Sequence, residues 1–106
     1  MGRIAELQDE VGQWSHLNFG TVPSWQCVLG LQEELGELSH HYLKREQRIR
    51  SAENHDAEIA DAVGDIFVFL LHFCHLEGIS LEDTIEAVWA AVEQRDWTKN
   101  RVDGTA

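Results

Sequence analysis

Three carboxylates stand close together in the segment EELGE, at Glu33, Glu34 and Glu37. In a helix, side chains three or four residues apart lie side by side, so these like charges repel one another unless a cation comes between them. A second acidic series follows in EIADAVGD, and its members are Glu58, Asp61 and Asp65. Two helices would therefore each present a line of carboxylates, which is the arrangement that binds a metal ion between them.

Asp65 carries the strongest chemical signal, because the surrounding run AVGDIFVFLLHFC is otherwise almost wholly apolar. A buried carboxylate without a partner is costly or is forced to protonate. The helix around Asp65 contains no Lys or Arg, and seven of the eight basic residues fall in two clusters, at 44–50 and 95–101. The partner is then either a basic side chain from elsewhere or a metal shared with EELGE. Carboxylate oxygens suit Mg²⁺ or Mn²⁺ better than zinc.

Apolar residues recur at steps of three and four along most of the chain and predict four helices. The first covers about residues 3–17, and the second runs from a cap at Ser24 to about residue 46. The third ends at Gly78, and Ser80 with Asp83 resembles a capping box that opens the fourth. We expect an all-α helical bundle of about four helices. The third helix is apolar on most sides, so we expect homodimerisation to complete the bundle.

The composition limits the function classes further. With 106 residues, the chain is expected to form one domain over residues 1–106, with a polar tail at 96–106. Its formal net charge of -11 disfavours binding to the phosphates of nucleic acids. Cys27 and Cys74 lie among apolar residues and are expected to be buried thiols, not a disulfide. The N-terminus lacks an apolar signal region, and the sequence suggests no membrane span, so we expect a cytoplasmic protein without membrane contact.

The acidic pattern resembles the MazG-like all-α nucleoside triphosphate pyrophosphohydrolases. The family pattern is EExxE followed by ExxD, and the similarity covers about residues 25–101, including GISLEDTIEAVW and QRDWTKN. The first motif matches at Glu33, Glu34 and Glu37. In the second, alignment by Gly78 puts Asp65 at the family's Asp but Ala62 in place of its Glu. Either Asp61 replaces that ligand, which we favour, or Glu58 and Asp61 form a literal ExxD.

This resemblance implies a Mg²⁺-dependent enzyme that cleaves an NTP or dNTP to the monophosphate and pyrophosphate, in a homodimer or a dimer of dimers. Its task would be either housecleaning of aberrant nucleotides or control of a normal pool. Mn²⁺ is an expected substitute for Mg²⁺. The implied metal ligands are Glu34, Glu37, Asp61 and Asp65, with Glu58 as a further candidate. Glu33 is then the candidate to orient or deprotonate the attacking water.

Substrate contacts can be proposed from side-chain chemistry. Trp25 offers an aromatic face for a nucleobase, as Trp14 does if it is not core, and Asn18 offers an amide for the edge of the base. Arg95 and Lys99 are candidates for phosphate contacts, although cations at a helix end are also common without a ligand. The histidines on the acidic helices, His40, His41, His72 and His75, are expected to lie at the surface or to be hydrogen-bonded in the core.

Two other classes of protein remain open from the sequence. One is a non-catalytic acidic interaction module, which explains the charge but not Asp65. An intermediate case is a nucleotide sensor that binds without turnover, which agrees with the absence of the family's Glu at position 62. The other, less favoured, is a di-iron carboxylate bundle, for which Glu37 and His40 supply one ExxH motif. That architecture needs a second ExxH, and none accompanies the acids of the third helix.

Overall fold

The computed structural model describes residues 2–96 and residue 98. Over this part of the chain it contains four helices and no strand, which confirms the all-α prediction. The helices are α1 (Arg3–Phe19), α2 (Trp25–Gln47), α3 (His55–Glu77) and α4 (Leu81–Val92). The two acidic segments therefore lie on α2 and α3, which are joined by a short connector.

The helix ends follow the local sequence signals, with one exception. The Ser80 hydroxyl accepts a hydrogen bond from the Asp83 amide at 3.2 Å and caps α4 as predicted, and Gly78 ends α3 with φ 68°. Ser24 stands at the start of α2 but does not cap it with its side chain. Its hydroxyl instead donates to the Glu77 carboxylate at 2.9 Å. Ser24 thus ties the start of α2 to the end of α3.

The helices pack as a pair, α2 with α3, to which α1 and then α4 are added. The buried apolar residues are Cys27, Ala62, Leu71 and Cys74. Both cysteines are free, as predicted, and burial raises the pKa of each thiol. On α4, the Glu82 carboxylate accepts from the amides of Gly2 at 3.3 Å and Ala5 at 3.4 Å. It thereby satisfies backbone donors at the start of α1.

Much of the predicted apolar surface remains uncovered in the single chain. Val63 is 54% exposed and Val88 is 51% exposed, although both lie in apolar stripes. No residue of α4 is buried. The radius of gyration is 17.4 Å, compared with about 13 Å for a compact chain of 100 residues. α4 packs mainly on α1 and leaves its other sides open, so these apolar positions have no cover in the single chain.

On α3, the uncovered residues form a regular pattern. Ala60, Val63, Gly64 and Phe67 are all exposed, and they follow the i, i+3, i+4, i+7 spacing of a single helix face. We call these four residues the open face of α3. Leu71 continues the same spacing one turn further on and is buried. The open face is therefore the uncovered part of an apolar stripe whose other end belongs to the core.

By length and composition alone, α3 is also apolar enough to cross a membrane, and it is the one such helix in the described part of the chain. The same description fits the core helix of a soluble protein, so this property is weak evidence. The apolar part of α3 contains Asp61 and Asp65. Two carboxylates near the middle of a membrane helix are costly.

Candidate functional site

A cluster of carboxylates forms where α2 faces α3, centred on Glu34. Partial burial raises the pKa of Glu34, and the charges of four neighbouring carboxylates raise it further. In decreasing order of effect, these neighbours are Asp65, Glu33, Glu37 and Asp61. The packing of the two helices therefore brings together the five acids that the sequence assigned to a metal and its water. The cluster holds an excess of negative charge, which is what a divalent cation would offset.

The positions of the α3 acids around this cluster differ. Asp65 is half-buried and Asp61 is exposed, and both act on Glu34. Ala62, between them, is 3% exposed and belongs to the core. A Glu at position 62 would have to leave the core to reach Glu34. The geometry therefore puts Asp61, and not position 62, beside Asp65 at the cluster.

Asp65 is less enclosed than its apolar surroundings suggested. Its neighbours Val63, Phe67 and Val68 are themselves exposed in the single chain. Asp65 therefore retains contact with water. The single chain therefore buries this carboxylate only in part.

Glu58 has a different environment. Its carboxylate lies 3.9 Å from His41 Nε2, and Glu58 is absent from the groups that raise the pKa of Glu34. Glu37 is shared between the two places, because its carboxylate lies 3.6 Å from His41 Nε2 and its charge also acts on Glu34. Of the two possible α3 pairs, the structure thus brings Asp61 with Asp65 to the Glu34 cluster and directs Glu58 toward His41.

An open pocket of about 590 Å³ adjoins the carboxylates. Its volume lies within the range of about 300–1,000 Å³ that is typical of small-molecule sites. Aromatic and apolar side chains form much of the wall, including Phe19, Trp25 and Phe69, and Glu33 lies at the pocket as well. The Phe69 ring packs directly over Gly30, where a side chain would collide with it. Glu33 thus belongs both to the pocket and to the surroundings of Glu34.

The predicted substrate residues are divided by the fold. Trp25 lines the pocket. Asn18 does not line it, and its amide donates to the Trp14 carbonyl at 2.8 Å within α1. Arg95 follows the end of α4 and is exposed, while Lys99 lies outside the described residues. Of the four predicted substrate residues, Trp25 therefore lies in the pocket beside the carboxylates.

Two histidines that the sequence analysis assigned to no site form a buried polar contact. His41, near the end of α2, and His55, at the start of α3, are each 8% exposed. Their Nδ1 atoms are 3.0 Å apart. The prediction of a core position is confirmed for His41 by its burial. The sequence shows two adjacent histidines, His40 and His41, and a third at His55. It does not show that they meet, because this depends on the path of the connector between α2 and α3.

Comparison of the chain with known protein families, characterised proteins and solved structures gives no match. The MazG-like resemblance therefore stays a prediction from the acidic motifs. What the fold itself defines is an all-α protein with a carboxylate cluster between two helices and an adjoining aromatic pocket.

The repulsion within the cluster is expected to lower the stability of the folded chain. Because the pKa of Glu34 is raised in the folded chain, the native state loses stability as the pH rises from the ordinary value for Glu through the raised value, and the loss is complete at pH 7. We expect Glu34→Gln to raise the midpoint of thermal unfolding at pH 7 without divalent ions by about 1–3 °C, the size of relief expected for like charges on a helix surface. If a divalent cation binds this cluster, Mg²⁺ should raise the unfolding midpoint of the unaltered protein, and the same substitution should remove most of that increase.

The matched control is Glu86→Gln, which removes one charge from an exposed position on α4. Glu86→Gln should not change the increase in the midpoint of thermal unfolding that Mg²⁺ is expected to produce. Equal responses of the two variants to Mg²⁺ in thermal unfolding monitored by circular dichroism would show that Glu34 is not at a divalent cation site.

Proposed function

We propose that the protein is a Mg²⁺-dependent nucleotide pyrophosphohydrolase, which cleaves an NTP or dNTP to the monophosphate and pyrophosphate. The observation that carries this proposal is the position of Glu33. Its side chain belongs to a pocket with aromatic walls and also acts on Glu34 within a group of carboxylates from two helices. A ligand with an aromatic base at one end and a polyphosphate at the other has matching chemistry.

The donor set fits a hard divalent cation. The groups at the cluster are carboxylates, and oxygen ligands without thiolates suit Mg²⁺ or Mn²⁺. We assign Glu34, Glu37, Asp61 and Asp65 as the residues that would hold the metal. When bound there, Mg²⁺ would supply positive charge to the phosphate oxygens of the substrate. Without such a cation, these acids would repel a triphosphate.

The chain's own residues have separate tasks in the proposed reaction. Trp25 and Phe69 provide the walls against which a nucleobase can lie, because aromatic rings stack on bases without strong preference among them. Glu33 accepts a proton from the attacking water, whose oxygen forms the new bond to phosphorus as the bond to the pyrophosphate oxygen breaks. The oxygen atom of the water becomes part of the monophosphate, and pyrophosphate leaves.

We also propose that the working unit is a homodimer or a dimer of dimers. The open face of α3 is an apolar helix face without a cover, and in a two-fold dimer the same face of a second copy can cover it. This face lies on the helix that carries Asp61 and Asp65, so dimerisation would also restrict the water around the carboxylates. A protein in the cytoplasm, without membrane or nucleic acid partners, agrees with the acidic composition.

The proposed function is tested with a panel of canonical and modified NTPs and dNTPs, with Mg²⁺ or Mn²⁺, in which pyrophosphate and orthophosphate are measured separately. We expect release of pyrophosphate without orthophosphate from at least one nucleotide. Absence of turnover across the panel, from protein whose helical content is intact, would contradict the proposal. Nucleotide binding without turnover would instead indicate a sensor.

A further inference from the structure

A second group of side chains with metal-binding chemistry lies at the end of the α2–α3 pair. Ligand atoms of His40, His41 and Glu53 all lie within 4.8 Å of one another. His55 adjoins them, with its Nδ1 3.0 Å from His41 Nδ1 and 3.9 Å from a Glu53 carboxylate oxygen. These residues come from the last turns of α2, the connector and the first residue of α3. They are distinct from the carboxylates around Glu34.

The hydrogen bonding of His55 determines which of its nitrogens is free. His55 Nε2 lies 3.1 Å from the Ile49 carbonyl oxygen. Because a carbonyl only accepts hydrogen bonds, Nε2 carries the proton. In the neutral ring, Nδ1 then has a lone pair, and this lone pair points toward His41 Nδ1.

The surroundings of His41 have the same consequence for its ring. Its Nε2 faces the carboxylates of Glu37 at 3.6 Å and Glu58 at 3.9 Å. Two negative groups favour a proton on this nitrogen. In the neutral ring, the lone pair of His41 is then on Nδ1 as well. The two lone pairs converge at 3.0 Å, which is unfavourable unless a proton or a metal ion lies between the two rings.

A metal ion is one explanation of this arrangement, and the other polar contacts of the two rings agree with it. Histidines that bind metals commonly donate their other ring N–H to a carbonyl or a carboxylate, which fixes the ring. His55 has the carbonyl, and His41 has the carboxylates. In a tetrahedral zinc site with bonds of about 2.0–2.1 Å, neighbouring ligand atoms are about 3.3 Å apart. The separation of the two Nδ1 atoms, 3.0 Å, is shorter than that distance and also fits a hydrogen bond through a shared proton, so the experiment must distinguish the two.

We propose that His40, His41, Glu53 and His55 form a binding site for a zinc ion or a similar transition metal. Three imidazoles and one carboxylate form a donor set that zinc prefers and that Mg²⁺ does not. The ion would join the end of α2 to the start of α3 through the connector, and so fix the relative position of the helices that carry the carboxylate cluster. This inference does not depend on the proposed hydrolase activity.

The test uses the untagged full-length protein, treated with EDTA, dialysed and titrated with Co²⁺ and then Zn²⁺ in the presence of excess Mg²⁺. We expect one equivalent of Co²⁺ to give the intense visible absorption of a tetrahedral site, and Zn²⁺ to displace it. Glu53→Gln and His40→Gln should each lower the affinity for Zn²⁺ by at least about tenfold, since even groups that only support a ligand have effects of this size.

Two controls separate this site from others. His16→Gln changes an exposed histidine on α1 and should leave Zn²⁺ binding unaltered, as should Asp65→Asn in the carboxylate cluster. Because His55 is buried and His55→Gln could prevent folding, the exposed residue Glu53 carries the decisive variant. Absence of saturable binding at one equivalent, or equal Zn²⁺ affinity in Glu53→Gln and His16→Gln, would overturn the proposal and leave a shared proton between the rings.

Discussion

Replacing Asp65 with Asn is expected to lower the rate of pyrophosphate release at least about 100-fold, comparable to losing one group that stabilises charge in a transition state. The amide has nearly the shape of the carboxylate, so packing on α3 is preserved. What changes is the negative charge, and Asp65 is the carboxylate with the largest effect on Glu34. Its removal weakens the attraction for a divalent cation at the point where α2 and α3 meet.

Steady-state pyrophosphate release at several Mg²⁺ concentrations measures this effect. If Asp65 acts through the metal, the loss should be partly recovered at high Mn²⁺, because only one of several ligands has changed. Asp9→Asn, which alters an exposed carboxylate on α1, is the matched control and should keep full activity. Equal rates for the two variants would show that the site assignment is wrong even if the protein hydrolyses nucleotides.

The second large effect is expected on assembly. Phe67→Glu places a carboxylate in the open face of α3, and in a two-fold dimer each substitution occurs once per chain at the same interface. Burying two unpaired carboxylates is strongly unfavourable. We expect the dimer dissociation constant to rise at least about 100-fold, which corresponds to about 2.8 kcal/mol.

Sedimentation equilibrium distinguishes the 12.1 kDa chain from its dimer over a range of concentrations. Gln13→Glu adds the same charge at an exposed position on α1 and should not change the assembly. Because Phe67 is exposed in the single chain, the variant should retain its helical content as a monomer. A protein that is monomeric before substitution, or a Phe67→Glu dimer as tight as the Gln13→Glu dimer, would refute the proposed interface.

The sequence predicted the local features of the fold well, because they depend on residues close together in the chain. The apolar repeat gave the helices, Gly78 and Ser80 marked the turn between α3 and α4, and the two cysteines were recognised as buried thiols. It predicted burial less well. The apolar stripe of α3 was identified from the sequence. The sequence could not show that α1 covers part of α3 and leaves the open face of α3 exposed.

For the candidate site, the sequence by itself determined which residues carry the chemistry. The spacing within EELGE and EIADAVGD fixes the carboxylates to neighbouring positions along each helix, because helical geometry follows from local backbone bonding. The rotation of one helix against another is not local, since it depends on side chains that meet only after folding. The tertiary structure alone therefore decided that Ala62 enters the core, that Asp61 and Asp65 face Glu34 while Glu58 faces His41, and that His41 and His55 converge.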